Sequence, residues 1–263
     1  MRYNTDTLGM HFGFWDKHTR NRQQAMLNEN QAIVDLGKIK SGQLTLDAGC
    51  GVGGTAIYIA QKTKARVVGI TLDPNQVHLA NQYSRAKLVE KLVEFQVQDF
   101  TKTNFAANTF DLVYAIESVC HTRPKTRFLK EVYRILKPGG HLVIADGYTK
   151  YPPKTAEEKK IIADFNWAFA LPELAVASDM TKYIKQSDFE NVHGESMIEA
   201  VIPTIKEFWV LGLTTFPVAA FTKYLPWPQL QAIYRNNLAL QAVYKAYKMG
   251  IADYFIHTAQ KPG

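Results

Sequence analysis

The chain has 263 residues, 46% apolar and 12% aromatic, enough to bury a sizeable core as one domain. Its formal net charge of +7 suits an anionic partner, yet the lysines and arginines are dispersed with no basic run interleaved with aromatics, which argues against a nucleic-acid groove. Cys50 and Cys120 give neither a disulfide framework nor metal-ligand spacing, the first residues lack the apolar core of a signal peptide, and no run of about 18 apolar residues occurs, so the expectation is a cytoplasmic protein that needs no metal.

In chain order, Tyr3 to Asp16 comes first, with His11, Phe12, Phe14 and Trp15 crowded among glycines in Leu8-Gly-Met-His-Phe-Gly-Phe-Trp-Asp16. It is too irregular for a strand pair and too aromatic for a solvated loop. It is either a cap folded over a site, where aromatic faces would attract a cation and exclude water, or a strap plugging the core. Asn21 to Leu36 has helical spacing and stops at Gly37.

Leu44 to Asp47 is a short apolar strand, followed by Gly49, Gly51, Gly53 and Gly54 before helical character resumes at Thr55. Glycine takes positive φ and lets a ligand lie against the backbone. The spacing also fits a dinucleotide fingerprint, a weak signal by itself. Asp47, two residues ahead of the first glycine, discriminates: a carboxylate there can accept hydrogen bonds from an ammonium group, which S-adenosylmethionine carries and dinucleotides lack.

A second strand, Arg66 to Ile70, ends at Thr71-Leu72 rather than at the acid that would hold ribose hydroxyls in most nucleoside-binding α/β folds. Asp73, Pro74 and Gln76 read as a helix start, the alternative for Gln76 being to turn toward a ribose. Leu92 to Gln98 is a third strand leading to Asp99-Phe100, an acceptor and an aromatic at a strand's carboxyl end, where an adenine could be held. Phe110 to Ile116 is the fourth, leading into Glu117-Ser-Val-Cys-His121; a helix from Pro124 to Leu136 and the turn Lys137 to Gly140 lead to a fifth, His141 to Asp146. Strands alternating with helices predict an α/β, doubly wound, mostly parallel sheet.

Asp47-Ala-Gly-Cys-Gly-Val-Gly53, Gly69-Ile-Thr-Leu72, Gln98-Asp-Phe100, Tyr114-Ala-Ile-Glu-Ser-Val-Cys-His121 and Leu136-Lys-Pro-Gly-Gly140 resemble, in order and spacing, the motifs of class I S-adenosylmethionine-dependent methyltransferases, over about residues 8 to 195. His11-Phe-Gly-Phe-Trp15 and the stretch ending Cys120-His121 are most similar to the sterol and tocopherol C-methyltransferase branch, with cyclopropane fatty-acid synthases more distant. The resemblance implies a seven-stranded Rossmann-like sheet and S-adenosylmethionine as cofactor, giving S-adenosylhomocysteine. It further implies that Gly49, Gly51 and Gly53 approach the methionine part beside Asp47, with His11 and Phe12 near its tail. Thr71, Leu72 and Gln76 would lie at the ribose, Asp99 and Phe100 at the adenine, and Ala115, inside the fourth motif, at the cofactor. Cys120 stands where the cyclopropane synthases carry a bicarbonate-holding glutamate, which sets their chemistry apart.

The second half carries specificity. Thr155 and Glu158 form a capping box opening a helix that bears Phe165, Trp167 and Phe169; a short helix near Asp179 to Gln186 and a strand near Val192 to Ile198 follow. Between that strand and a last one, Tyr254 to Ala259, lie some fifty residues of aromatic-rich helix that could be a lid over a lipophilic acceptor, core packing or a dimer face. The expected organisation is a single methyltransferase domain, 1–263, with a cap over the cofactor at 1–37, a cofactor-binding core at 38–150 and helical acceptor-site elements at 150–190 and 199–252. Trp15, Trp167, Phe208 and Trp209 are the expected acceptor contacts.

Methyl transfer is an in-line displacement in which positioning and water exclusion do most of the work, and the acceptor's proton must still be taken up. Glu117 and His121 are the candidate proton acceptors. The leading expectation is methyl transfer to a small lipophilic acceptor, favouring carbon, with peripheral membrane contact and a homodimer both compatible. Oxygen or nitrogen methylation of a small natural product, or noncatalytic cofactor binding, are the alternatives. A nicotinamide oxidoreductase conflicts with Asp47 and Thr71.

Overall fold

The computed structural model describes residues 7 to 263 except 223, 225 and 226; the part of the N-terminal expectation falling on residues 1–6, Tyr3 included, lies outside them. Helix α1 (Arg22–Leu36) is followed by β1 (Leu44–Ala48), α2 (Gly54–Thr63), β2 (Arg66–Thr71), α3 (Pro74–Ala86), β3 (Val93–Val97) and β4 (Phe110–Ile116). Then come a 3₁₀ turn at Val119–His121, α4 (Lys125–Ile135), β5 (Leu136–Thr149), α5 (Ala156–Phe169), α6 (Ala177–Gln186), β6 (Glu190–Ser196), α7 (Ile198–Thr222), α8 (Pro228–Lys248) and β7 (Ala252–Gln260). The seven strands form one sheet in the order β3-β2-β1-β4-β5-β7-β6, with the first five parallel and β7 antiparallel to both neighbours. This is the doubly wound, Rossmann-like methyltransferase fold that the motifs imply.

Local chemistry accounts for the element ends. The Asn21 and Asp73 side chains accept the N–H groups of Gln24 and Asn75 at the starts of α1 and α3, and the Thr155–Glu158 capping box forms reciprocally at α5. Some boundaries differ: the sixth strand ends at Ser196, with Ile198 opening α7, and β5 takes in Lys137 to Gly140, expected as a turn. Phe110 pairs with Leu136 and Leu112 with His141, so a register shift absorbs that segment within the ladder.

Side-chain alternation along the strands splits the core into two layers. Leu112 and Tyr114 of β4 face α1, α2, α7 and α8, together with Leu8 and Phe14 of the N-terminal strap. Val113 and Ala115 face the layer built on Phe128, Leu129, Met180 and Ile184 of α4 and α6. Parity therefore decides which motif residues can meet.

Candidate active site

The carboxyl ends of the parallel strands hold most of the residues that the motifs single out. Asp47 pairs in register with Gly69 and with Tyr114. Its neighbours Leu46 and Ala48 pack in the α4 layer, so Asp47 and Tyr114 share the face toward α1 and α2. Burial pushes the Asp47 carboxyl up to about 7, opposed by the Tyr114 hydroxyl and by His11, which favour its ionised form. That hydroxyl lies beside Asp47 but outside ordinary hydrogen-bond geometry, and it is buried with no partner among the described residues. An orphaned buried polar group costs about 1–3 kcal/mol, which a polar ligand placed there would relieve.

The turn after Asp47 needs its glycines for two reasons. Gly49, Gly51 and Gly53 have φ of 104°, 53° and 84°. The chain also turns back so tightly that the N–H groups of Gly49 and Cys50 both bond to the Ile70 carbonyl at 3.0 Å. A Cβ on Gly49 would strike Ser118, and one on Gly53 would sit 2.5 Å from the Phe95 ring. Beyond the turn, α2 begins without a side-chain cap.

Farther along the edge, the Thr71 hydroxyl donates to the Gln76 amide oxygen at 2.6 Å, and Leu72 is 71% exposed beside the exposed Val97. The Asp99 carboxylate accepts the Thr101 N–H and hydroxyl, both at 2.8 Å. Phe100 stands edge-on to Phe128, 5.3 Å between centroids. The ends of β2 and β3 thus combine polar groups, Thr71, Gln76 and Asp99, with the exposed apolar side chains of Leu72 and Val97. Ala115 lies in β4 with its side chain in the α4 layer, on the opposite face from Tyr114.

The strap closes over the face that carries Asp47. His11 Nδ1 lies 2.5 Å from Glu29 Oε2, which also accepts the Gly13 N–H at 3.0 Å. The Phe12 N–H donates to Glu117 Oε1 at 2.8 Å, and the Tyr254 hydroxyl lies 2.7 Å from Glu29 Oε1 and 3.1 Å from Glu117 Oε1. Glu117 is ringed by protein groups and is half-buried. Burial and the facing Glu29 push its carboxyl up to about 8, against a lowering by His11 and the Phe12 N–H. Burial alone would depress His11, but Glu29, with Glu117 and Asp47 behind it, raises it. Glu117 has φ of 47°, a left-handed conformation uncommon for a non-glycine residue and typical of functional turns.

The other expected residues separate. Trp15 and Phe208 join the strap: the Trp15 indole N–H donates to Thr204 at 2.8 Å, the Thr204 hydroxyl donates to the Phe12 carbonyl at 2.7 Å, and the Phe208 ring meets that of Phe12 at 5.6 Å. Trp209 instead stacks on Tyr244 of α8, 4.3 Å between centroids. Trp167 on α5 is 56% exposed. His121, at the end of the 3₁₀ turn, is exposed, while Cys120 N–H donates to the buried Asp146 at 2.8 Å. Two surface cavities, of about 590 and 470 Å³, lie elsewhere: one is lined by Arg127, Glu131 and Lys261, the other by Lys150, Thr181 and Phe255. Neither touches Asp47 or Glu117.

Glu29, Tyr254 and Thr204 escaped sequence reasoning. Glu29 sits among the polar residues of α1, where a carboxylate ordinarily faces water. The available signal was the strap itself, whose N–H groups must find acceptors if it is buried.

A methyltransferase domain model matches residues 46–144. The chain is 35% identical over 181 residues to 24-methylenesterol C-methyltransferase 3 of Arabidopsis thaliana, covering 68% of this chain and 50% of that protein. It is 27% identical to the chloroplastic tocopherol O-methyltransferase of Arabidopsis thaliana, covering 96% and 76%. It is 29% identical to norajmaline N-methyltransferase of Rauvolfia serpentina, covering 96% and 90%. Among solved structures, the [4+2]-cyclase SpnF superposes with a TM-score of 0.78 at 22% identity, covering 97% and 87%. The chain spans about half the length of the sterol methyltransferase it matches. Residues 46–144 thus match a methyltransferase domain, and the chain resembles the class I S-adenosylmethionine-dependent methyltransferases, their sterol and tocopherol branch among them. The donor set fits that family's cofactor: an orphaned hydroxyl and a buried carboxyl suit an amino-acid end, and the mixed polar and apolar ends of β2 and β3 suit a nucleoside.

Proposed function

We propose that the protein transfers the methyl group of S-adenosylmethionine to a small, lipophilic acceptor, with carbon favoured over oxygen or nitrogen. In this reading Asp47 and the Gly49–Gly53 turn hold the methionine part. Thr71, Leu72 and Gln76 take the ribose, and Asp99 and Phe100 the adenine. Trp15 and Phe208 help enclose the acceptor. The observation that carries the proposal is the placement of Glu117, a carboxyl just past the end of β4 with φ of 47°, which accepts the Phe12 N–H of the strap at 2.8 Å and lies 3.1 Å from the Tyr254 hydroxyl. Bound S-adenosylmethionine supplies an electrophilic methyl group. The chain excludes water through the strap, orients the acceptor and, at Glu117 Oε, holds or takes up the proton the acceptor loses. His121, exposed one turn along, is the second candidate for that proton. The protein is placed in the cytoplasm, and self-association is compatible with this activity.

The proposal is tested by incubating the protein with a metabolite extract and methyl-labelled donor and identifying the labelled product. A labelled C-methylated isoprenoid or sterol-like compound supports it. Label on a polar amine or on oxygen would favour the alternatives suggested by the nitrogen- and oxygen-directed relatives. Tight S-adenosylhomocysteine binding without label transfer would favour a noncatalytic role.

A further inference from the structure

Helix α7 departs from the pattern of a helix on a water-exposed surface. Beyond Phe208 its buried positions are Gly212, Ala219 and Thr222. They form one seam against α8, so close that a Cβ on Gly212 would lie 3.2 Å from Gln241 and 3.3 Å from Leu240. The buried Asn237 amide of α8 crosses the seam, donating to the Gly212 carbonyl and to the Thr215 hydroxyl, both at 2.8 Å. The large apolar side chains point away from the seam. Leu213, Phe216, Val218 and Phe221 are exposed, Val218 and Phe221 by 69% and 67%, and Trp227 at the helix junction by 57%.

In water an amphipathic helix buries its large apolar residues and turns polar ones outward. A seam of small residues with a crossing amide bond, and large apolar residues outside, is how helices pack in lipid. Several large apolar side chains exposed along one helix and its junction mark an interaction site, and tryptophan favours the membrane–water interface. Charge points the same way. Between Glu207 and Asp253 the chain has no acidic residue, while Lys223, Arg235, Lys245 and Lys248 fall within that interval. Among the described residues no helix is long and apolar enough to cross a membrane, so the geometry suits insertion into one leaflet.

We propose that the α7–α8 hairpin docks its exposed apolar face into an anionic lipid surface, with its basic residues at headgroup level. The same helix leads to the site: from Phe208, in contact with Phe12, to Phe221 is about 20 Å of helix. The docking stands by itself; delivery of a lipophilic acceptor along α7 is the part that rests on the proposed function.

The test is co-sedimentation of the full chain with phosphatidylglycerol-containing vesicles and with pure phosphatidylcholine vesicles, alongside sedimentation velocity without lipid. The wild type is expected to bind the anionic vesicles more tightly, less so at high salt. Val218→Asp/Phe221→Asp should reduce that binding by about tenfold or more, the scale of one or two lost apolar burials, with S-adenosylhomocysteine binding unchanged. If the double aspartate variant fails to fold, Arg235→Gln/Lys245→Gln serves, with binding lost at lower salt than in the wild type. Failure of the wild type to bind either vesicle, or undiminished binding by the folded variants, overturns the proposal. So does a wild-type dimer that Val218→Asp/Phe221→Asp converts to monomer, since the face would then belong to a second copy. Vesicle binding without any methyl transfer would leave docking intact and count against the proposed activity alone.

Discussion

The Tyr254 hydroxyl lies nearer to Glu29, at 2.7 Å, than to Glu117, at 3.1 Å. A phenol has one proton to donate. With that proton directed to Glu29, a hydrogen bond to Glu117 requires Glu117 to supply the other. The arrangement therefore favours a protonated Glu117, the same direction in which burial and the facing Glu29 push its carboxyl.

Glu117→Gln keeps the acceptor for the Phe12 N–H but cannot take up a proton. Methyl transfer should fall by about 10²- to 10⁴-fold, with S-adenosylhomocysteine affinity little changed. In the wild type, kcat/KM should rise with pH toward a limb near 8, and Tyr254→Phe should move that limb. A pH-independent wild-type profile, or Glu117→Gln with full activity, would show that this carboxyl serves structure alone.

The free protein should lose thermal stability as pH rises from the ordinary carboxylate range toward 8. Asp47 and Glu117 are raised to about 7 and about 8, so in this window the folded state binds more protons than the unfolded one. Stability linked to these groups is complete below their unfolded values and is lost as pH climbs through the folded ones. Melting temperatures across that window, repeated on Glu117→Gln, check the sign; a slope unchanged in the variant would assign it to other groups.

Asp47→Ala should weaken S-adenosylhomocysteine binding by about 1–3 kcal/mol while the strand survives. An ammonium group beside Asp47 also favours its ionised form, so below about pH 7 ligand binding should release a proton. Calorimetry in two buffers of different ionisation enthalpy reads that release directly. Its absence, with unchanged affinity in Asp47→Ala, would place the ligand's amino group elsewhere.

Phe208 and Trp209 are adjacent in sequence but should respond differently. Phe208 meets Phe12 in the strap, so Phe208→Ala is expected to raise the acceptor KM. Trp209 stacks on Tyr244, so Trp209→Ala should mainly lower the melting temperature, through lost burial and about 0.5–1.5 kcal/mol of ring pairing. Measuring both quantities on both variants decides between them; a raised acceptor KM in a fully stable Trp209→Ala would bring that side chain to the acceptor.

Asp47 and its glycines were legible in the sequence because their placement is local: an apolar strand, positive-φ turn and helix follow one another along the backbone, and the two-residue period of a strand fixes which side chains share a face. The same local logic foretold the doubly wound sheet and the Thr155 capping box. It could not foretell Glu29, Tyr254 and Thr204, which come from α1, the last strand and the helical insertion. Each looks ordinary in its own segment, and each acquires its role only when β7 lies beside β5 and the strap crosses the site. Composition likewise marked the 199–252 segment as aromatic-rich but could not say which side of α7 was covered. The contact with α8 through Gly212 and Asn237 decided that, because what a helix buries depends on the surface it meets as much as on its own periodicity.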